Sequence, residues 1–323
     1  MEYRVKRVLA GAVVAAIALA VAAPWIVDDY TTSTLSRLLV LGLVGVSVAL
    51  LTGVTGLPTL GQTAPFAAGA YAAAQLGQRG MESGPVQLVA AIGVGAVFAL
   101  LTALLVVYAR GVFVLMITLA IGELAITVAS RWKGVTGGTD GLLAVTGVRP
   151  LPGLSTLDTD RGRYLYALAV VGVVLVLVLL VLRSPAGLLL RASRDDEARM
   201  RASGHPVTAY LAGAYVAAGG IAGAGGALLI TTQQYVSPAD FSFDTAALLL
   251  LGVVIGGAGS MLGAVAGTAL VFAARDWFSN LLPGQSPLLL GALFVLTAYL
   301  LPRGVAGIDL RRLGRRDRAA RRA

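Results

Sequence analysis

The chain is divided by runs of about 20 apolar residues, the length a helix needs to cross the hydrocarbon of a bilayer. Such runs lie near Val8 to Val27, Leu38 to Gly56, Thr59 to Leu76, Val86 to Ala109, Val112 to Ser130, Tyr164 to Leu182, Val207 to Ile230, Thr245 to Ala274 and Pro287 to Leu301. Backbone in lipid must satisfy its own hydrogen bonds, so the runs imply an all-α, polytopic transmembrane bundle. Composition agrees: 57% of the 323 residues are hydrophobic and 13% charged, about half the charge of an ordinary wetted surface. Nucleic-acid binding is excluded despite the net charge of +9, because the basic residues flank apolar runs instead of gathering on one solvated face. With no cysteine there is no disulfide framework, thiolate metal site or cysteine nucleophile. No cofactor or metal is expected.

Charge near the ends of the runs sets their number, since cytoplasmic loops collect Lys and Arg. Arg4, Lys6 and Arg7 put the N-terminus inside, and eight arginines after Pro302 put the tail 303–323 inside as well. An even number of crossings follows. The run Thr245 to Ala274 is too long for one span, and the cluster Gly256-Gly257-Ala258-Gly259-Ser260 permits a turn within it. Splitting it there gives about ten spans, with the charged segment 183–206 inside, Arg110 in a short inner turn, and 17 of the 25 basic residues on the inner side. A re-entrant hairpin for that run is the alternative, at the expense of the parity. The first run also has signal-peptide traits, a basic start and Ala20-Val21-Ala22-Ala23 before Pro24, but its apolar core is longer than such peptides need. The whole chain, 1–323, is expected to form one membrane-embedded domain.

The chain holds no phosphate-cradling G-x-x-x-x-G-K-[ST] loop, no G-x-S-x-G elbow and only one histidine. If ATP drives this protein, another subunit hydrolyses it. Glu123 lies near the middle of an apolar run, where an ionisable group is tolerated only against protein or water. It reads either as part of a translocation path, with Thr118 and Gly122 beside it, or as a polar packing group between helices. Thr136-Gly137-Gly138-Thr139-Asp140-Gly141 reads as a tight external turn. Gly219 with Gly223, Gly252 with Gly256, and Gly259, Gly263 and Gly267 stand four apart, a spacing that lets helices approach closely in lipid. From Arg191 to Gly204, opposite charges stand four apart (Arg191 and Asp195, Asp195 and Arg199, Glu197 and Arg201), which predicts one short polar helix ended by Gly204 and Pro206. It is either a solvated loop or a lever docked on a soluble motor, with Arg194 and Asp196 among its charges.

These blocks have a shared order. Thr55-Gly56, Leu60-Gly61-Gln62 and Gly69-Ala70-Tyr71 are followed by Arg110-Gly111, Thr118-Leu119-Ala120, Gly122-Glu123-Leu124 and the Thr136 to Gly141 turn. Arg191-Ala192, Arg194, Asp196-Glu197 and Gly204 come next, then Gly225-Gly226-Ala227, Ser237-Pro238 and Gly259-Ser260. Over roughly residues 35 to 305 this resembles the LivM-type permeases of branched-chain amino acid ABC importers. It departs from their pattern at Pro58, Pro65 and His205-Pro206. The resemblance implies a permease paired with a homologous LivH-type permease, two ATP-binding subunits on the cytoplasmic face and an external solute-binding protein. It further implies that Arg191, Arg194, Asp195, Asp196, Glu197 and Gly204 belong to the segment that contacts an ATPase. Branched-chain or other hydrophobic amino acids are the implied cargo; urea or short amides, or a self-sufficient proton-coupled carrier using Glu123, are the alternatives.

Overall fold

A computed structural model describes residues 19–143, 147–150 and 156–281, together with 288–289, 291–292 and 295. The basic residues at 4, 6 and 7, the first part of the run Val8 to Val27, ten of the 15 residues of Pro287 to Leu301 and the basic tail lie outside the described residues.

Residues 19–26 are helical and lie against the start of a later helix through the Tyr164 hydroxyl, which donates to the Ala20 carbonyl at 2.9 Å. Helix α1, Asp29–Ala49, continues into a π-helical turn, Leu50–Thr55. Then come α2, Thr63–Gln78; α3, Gly84–Val106; and α4, Val112–Arg131. A short helix α5, Lys133–Thr136, a 3-10 turn at Gly138–Asp140 and strand β1, Leu142–Leu143, lead toward α6, Asp160–Arg183. Two short helices follow, α7, Pro185–Asp195, and α8, Glu197–Ala202. The long α9, Val207–Gln233, is followed by β2, Tyr235–Val236, and a 3-10 turn, Pro238–Phe241. Helices α10, Phe243–Gly256, and α11, Met261–Leu281, close the described bundle.

Local chemistry sets many of these ends. The Thr159 side chain accepts the Gly162 N–H at the start of α6, Asp196 accepts the Arg199 N–H at the start of α8, and Pro185 occupies the first position of α7, where no N–H is needed. Pro65 is likewise tolerated because it falls in the first turn of α2. Gly257, at φ 96°, takes a backbone conformation that L side chains rarely adopt and splits the long apolar run into α10 and α11.

Lipid offers apolar side chains no advantage in leaving it, so helices in a bilayer are held by close packing. The centre is α1 and α9, both buried along most of their length; α3, α4 and α6 bury one stripe and present Leu, Val and Phe outward. Small residues make the central crossings. A Cβ at Gly223 would collide with the Ala91 carbonyl of α3, one at Gly226 with the α2 backbone, and one at Gly267 with the Gly252 carbonyl. The expected pairs Gly219 and Gly223, Gly252 and Gly256, and Gly263 and Gly267 all lie at such contacts, whereas Gly259 has nothing within 4 Å and belongs to the turn.

The bundle is all-α and polytopic, apart from one antiparallel strand pair, Leu142 with Val236 and Leu143 with Tyr235. The count differs from ten: among the described residues seven helices are long and apolar enough to cross a membrane. Helix α2, at 16 residues, spans only about 24 Å against a core of about 30 Å. The run Thr59 to Leu76 overstated it, because its first four residues are not helical.

Candidate functional site

The shortness of α2 has a local origin. After the π-helical turn the chain passes through Gly56, at φ 74°, and runs without helical hydrogen bonding to Gln62. Pro58 lies in this stretch. Opposite it is the inward stripe of α4. The Leu60 N–H donates to Thr118 Oγ1 at 3.2 Å, while that hydroxyl donates to the Val114 carbonyl at 2.8 Å. Gly61 packs on the Thr118 backbone, and Gly122 faces Thr63 Oγ1 and the Leu60 carbonyl. Thr118 lies six residues into α4, about 9 Å along its axis. The break is therefore inside the bundle, where irregular backbone is tolerated only when protein or a water-filled path surrounds it. Gln62 is 1% exposed, and neither atom of its side-chain amide has a partner among the described residues. Sequence reading used Gln62 only as part of a resemblance; its position after Pro58 and Gly61 was the available signal.

Of the three expected path residues, the structure brings Thr118 and Gly122 to this break and leaves Glu123 elsewhere. One residue further along α4 turns a side chain by about 100°, and Glu123 lies on the exposed surface of the chain, its carboxylate without a partner among the described residues. Beyond the helix's own backbone bonds, its carbonyl accepts the Thr127 hydroxyl at 2.8 Å.

At one end of the bundle the expected single helix from Arg191 to Gly204 is two. Asp196, at φ −154° and ψ 88°, separates α7 from α8, so Asp195 and Arg199 no longer share a helix face and make no ion pair. Asp196 instead pairs with Arg199 at 3.2 Å, besides capping α8. Glu197 receives Arg201 at 2.8 Å, as the spacing predicted, and also Arg110 from the α3–α4 turn at 2.5 Å. Arg191 donates to the Leu182 carbonyl at 3.2 Å. Arg194 donates to the Gly53 carbonyl in the π-helical turn, and its aliphatic stem covers Gly56. Gly204 ends α8: its N–H donates to Arg201 O and the next N–H, of His205, to Met200 O, with Gly204 at φ 81°. Ala258, of the α10–α11 turn, packs on Gly53 as well. This end of the bundle thus gathers α7, α8, the π-helical turn, Arg110 and the turn 257–260.

The segment Thr136 to Gly141 closes the other end. The Thr136 hydroxyl donates to Ala129 O at 2.5 Å and accepts the Gly138 N–H at 3.3 Å. The Asp140 carbonyl accepts the Tyr235 hydroxyl at 2.9 Å. The Asp140 carboxylate makes no hydrogen bond to neighbouring amides among the described residues. Gly137, Gly138 and Gly141 all have positive φ, and Gly141 lies against Val236 and Tyr235, where β1 pairs with β2. Gln75 of α2 donates to the Val135 carbonyl at 2.6 Å.

The amino-acid sequence of the chain matches a known family profile. The profile, branched-chain amino acid transport system / permease component, aligns with residues 30–321. The chain belongs to this family. The high-affinity branched-chain amino acid transport system permease protein LivM of Escherichia coli strain K12 is 28% identical over 334 aligned residues, covering 95% of this chain and 77% of that protein. LivM of Salmonella typhimurium strain LT2 is 28% identical over 317, covering 90% and 73%. No solved structure matches the chain. The permease is a multi-pass membrane transport subunit, and membership in an ABC transporter permease family implies that it works within a multi-subunit complex.

Proposed function

We propose that this permease imports branched-chain or other hydrophobic amino acids by alternating access, driven by ATP hydrolysed on two separate subunits. A homologous LivH-type permease completes the membrane part, and a solute-binding protein delivers cargo to the end that carries the Thr136 to Gly141 turn. Ten crossings with both termini cytoplasmic complete the reading. Supporting it, the turn 257–260 and segment 183–206 meet at one end of the bundle, so α10 and α11 run as a full hairpin between the two ends.

The observation that carries the proposal is the latch of α7 and α8 on the bundle. Arg194 holds the π-helical turn and Glu197 holds Arg110, while Leu188, Asp195 and Arg199 remain exposed. Helices of 11 and six residues are too short to be rigid alone. Held this way, they form a lever with one face on the bundle and one free for a motor subunit. Because Asp196 and Glu197 also build the segment, the docking test belongs on the free face. An Asp195→Arg chain should insert normally yet lose co-purification of the ATP-binding subunits or substrate-stimulated hydrolysis, since charged rims set register between partners. Unaltered assembly, hydrolysis and uptake would reduce the segment to a solvated loop.

A further inference from the structure

Two cavities lie one beyond the other at the turn end. The outer, of 490 Å³, is walled by Tyr30, Thr34, Arg37, Asp276 and Asn280. The inner, of 180 Å³, lies among α1, α2, α9, α10 and α11, and shares Arg37 with the outer one. At about 30 Å³ of liquid per water, the inner cavity holds roughly six waters or one solute of that bulk.

The lining of the inner cavity is sorted by chemistry. Arg37 is committed to Asp276 at 3.7 Å. That leaves one cation and one anion. Arg275 has no ion-pair or hydrogen-bond partner among the described residues. Asp240 uses Oδ2 for both bonds from Ser237, at 2.9 Å to its N–H and 3.1 Å to its hydroxyl, so Oδ1 is free. The two share the cavity without pairing with each other. The remaining walls are mixed: Gln233, Ser242 and Thr245 are polar, while Leu41, Leu229, Phe66 and Phe272 form an apolar side, both phenylalanines fully buried. Phe66 is braced edge-on by Phe241 at 4.9 Å.

We infer that this inner cavity binds an apolar α-amino acid as its zwitterion, Arg275 receiving the carboxylate, Asp240 Oδ1 the ammonium, and the Phe66 and Phe272 walls the side chain. The inference rests on the amino-acid reading above and adds its binding groups. An unpaired arginine at the margin of an apolar bundle is expensive unless an anion meets it, and a zwitterion satisfies both free charges at once without changing the net charge of the site. A cationic or anionic analogue satisfies one and leaves the other unpaired.

The chain has no native cysteine, so a Thr245→Cys reporter on the inner cavity wall is unique in this subunit, and Ser242→Cys, which also lines only the inner cavity, serves as a second. In proteoliposomes holding the full permease–ATPase complex without the solute-binding protein, L-leucine should slow modification of either reporter by a small thiosulfonate. Isoamylamine, which lacks the carboxylate, and isocaproate, which lacks the ammonium, should not protect at the same concentration. Arg275→Gln, and separately Asp240→Asn, should raise the protecting leucine concentration by about tenfold or more. Leucine protection that is absent in a complex that imports leucine, or unchanged in both variants, overturns the inference and leaves the transport reading standing. Protection in a complex that imports no apolar amino acid supports the site and overturns the transport reading instead.

Discussion

At the scale of single residues, the structure divides polar groups inside the bundle into those that are satisfied and those that are free. Thr118 belongs to the first kind. Its hydroxyl accepts the Leu60 N–H and donates to the Val114 carbonyl, and it is the side-chain acceptor that the helix break draws from α4. Thr118→Val keeps the shape and strands a buried N–H, which costs about 1–3 kcal/mol. Thermal unfolding of the purified complex should show a lowered midpoint for Thr118→Val and a near-native one for Thr118→Ser; equal midpoints would mean that the break does not depend on this hydroxyl. Gln62, Arg275 and Asp240 Oδ1 belong to the second kind, and free polar groups inside an apolar bundle are what a polar cargo needs. Their importance was not legible in the sequence. Arg275 reads as one of many flanking arginines, and its meeting with Asp240 depends on elements 35 residues apart in the chain converging on one cavity.

At the scale of elements, the legible features were those announced by local chemistry. Gly204 and Pro206 marked the end of α8, the glycine cluster marked the split of the long run, and Arg110 marked the α3–α4 turn. Two others were hidden, the second only in part. Helix α1 begins at Asp29, nine residues before its apolar run, because Thr32 and Ser36 donate to the carbonyls four residues back and need no water. The break from Gly56 to Gln62 was legible only in part: the apolar runs already part at Leu57-Pro58, but Thr59 to Gln62 read as the start of the next span, because hydropathy does not distinguish buried loop from buried helix. The opposed ends are testable with Gly259 and Gly134, both exposed and with nothing within 4 Å of an added Cβ. An impermeant maleimide should label Gly259→Cys only in inside-out vesicles and Gly134→Cys only in right-side-out ones. Labelling of both from one face would contradict the ten-crossing arrangement.

At the scale of the whole molecule, the outward faces of α3, α4 and α6 are apolar between their ends except at Glu123 and the neighbouring Thr127. A carboxylate facing hydrocarbon is costly, so this position is covered by water or by a neighbouring subunit in the working complex. Glu123→Gln should leave co-purification intact and lower initial uptake by roughly tenfold, the usual worth of a hydrogen bond to a charged group. Undiminished uptake would make it a packing residue. The long central helix has a further consequence. It carries Arg37 at the cavity and Gly53 under Arg194 at the lever, 16 residues and about 24 Å apart on one nearly continuous rod. A rod transmits displacement in both directions, and linkage between two sites is reciprocal. On the proposed reading, whatever preference nucleotide state imposes on cargo affinity through α1, cargo imposes in equal measure on nucleotide affinity, so an empty cavity would itself signal the motor to wait.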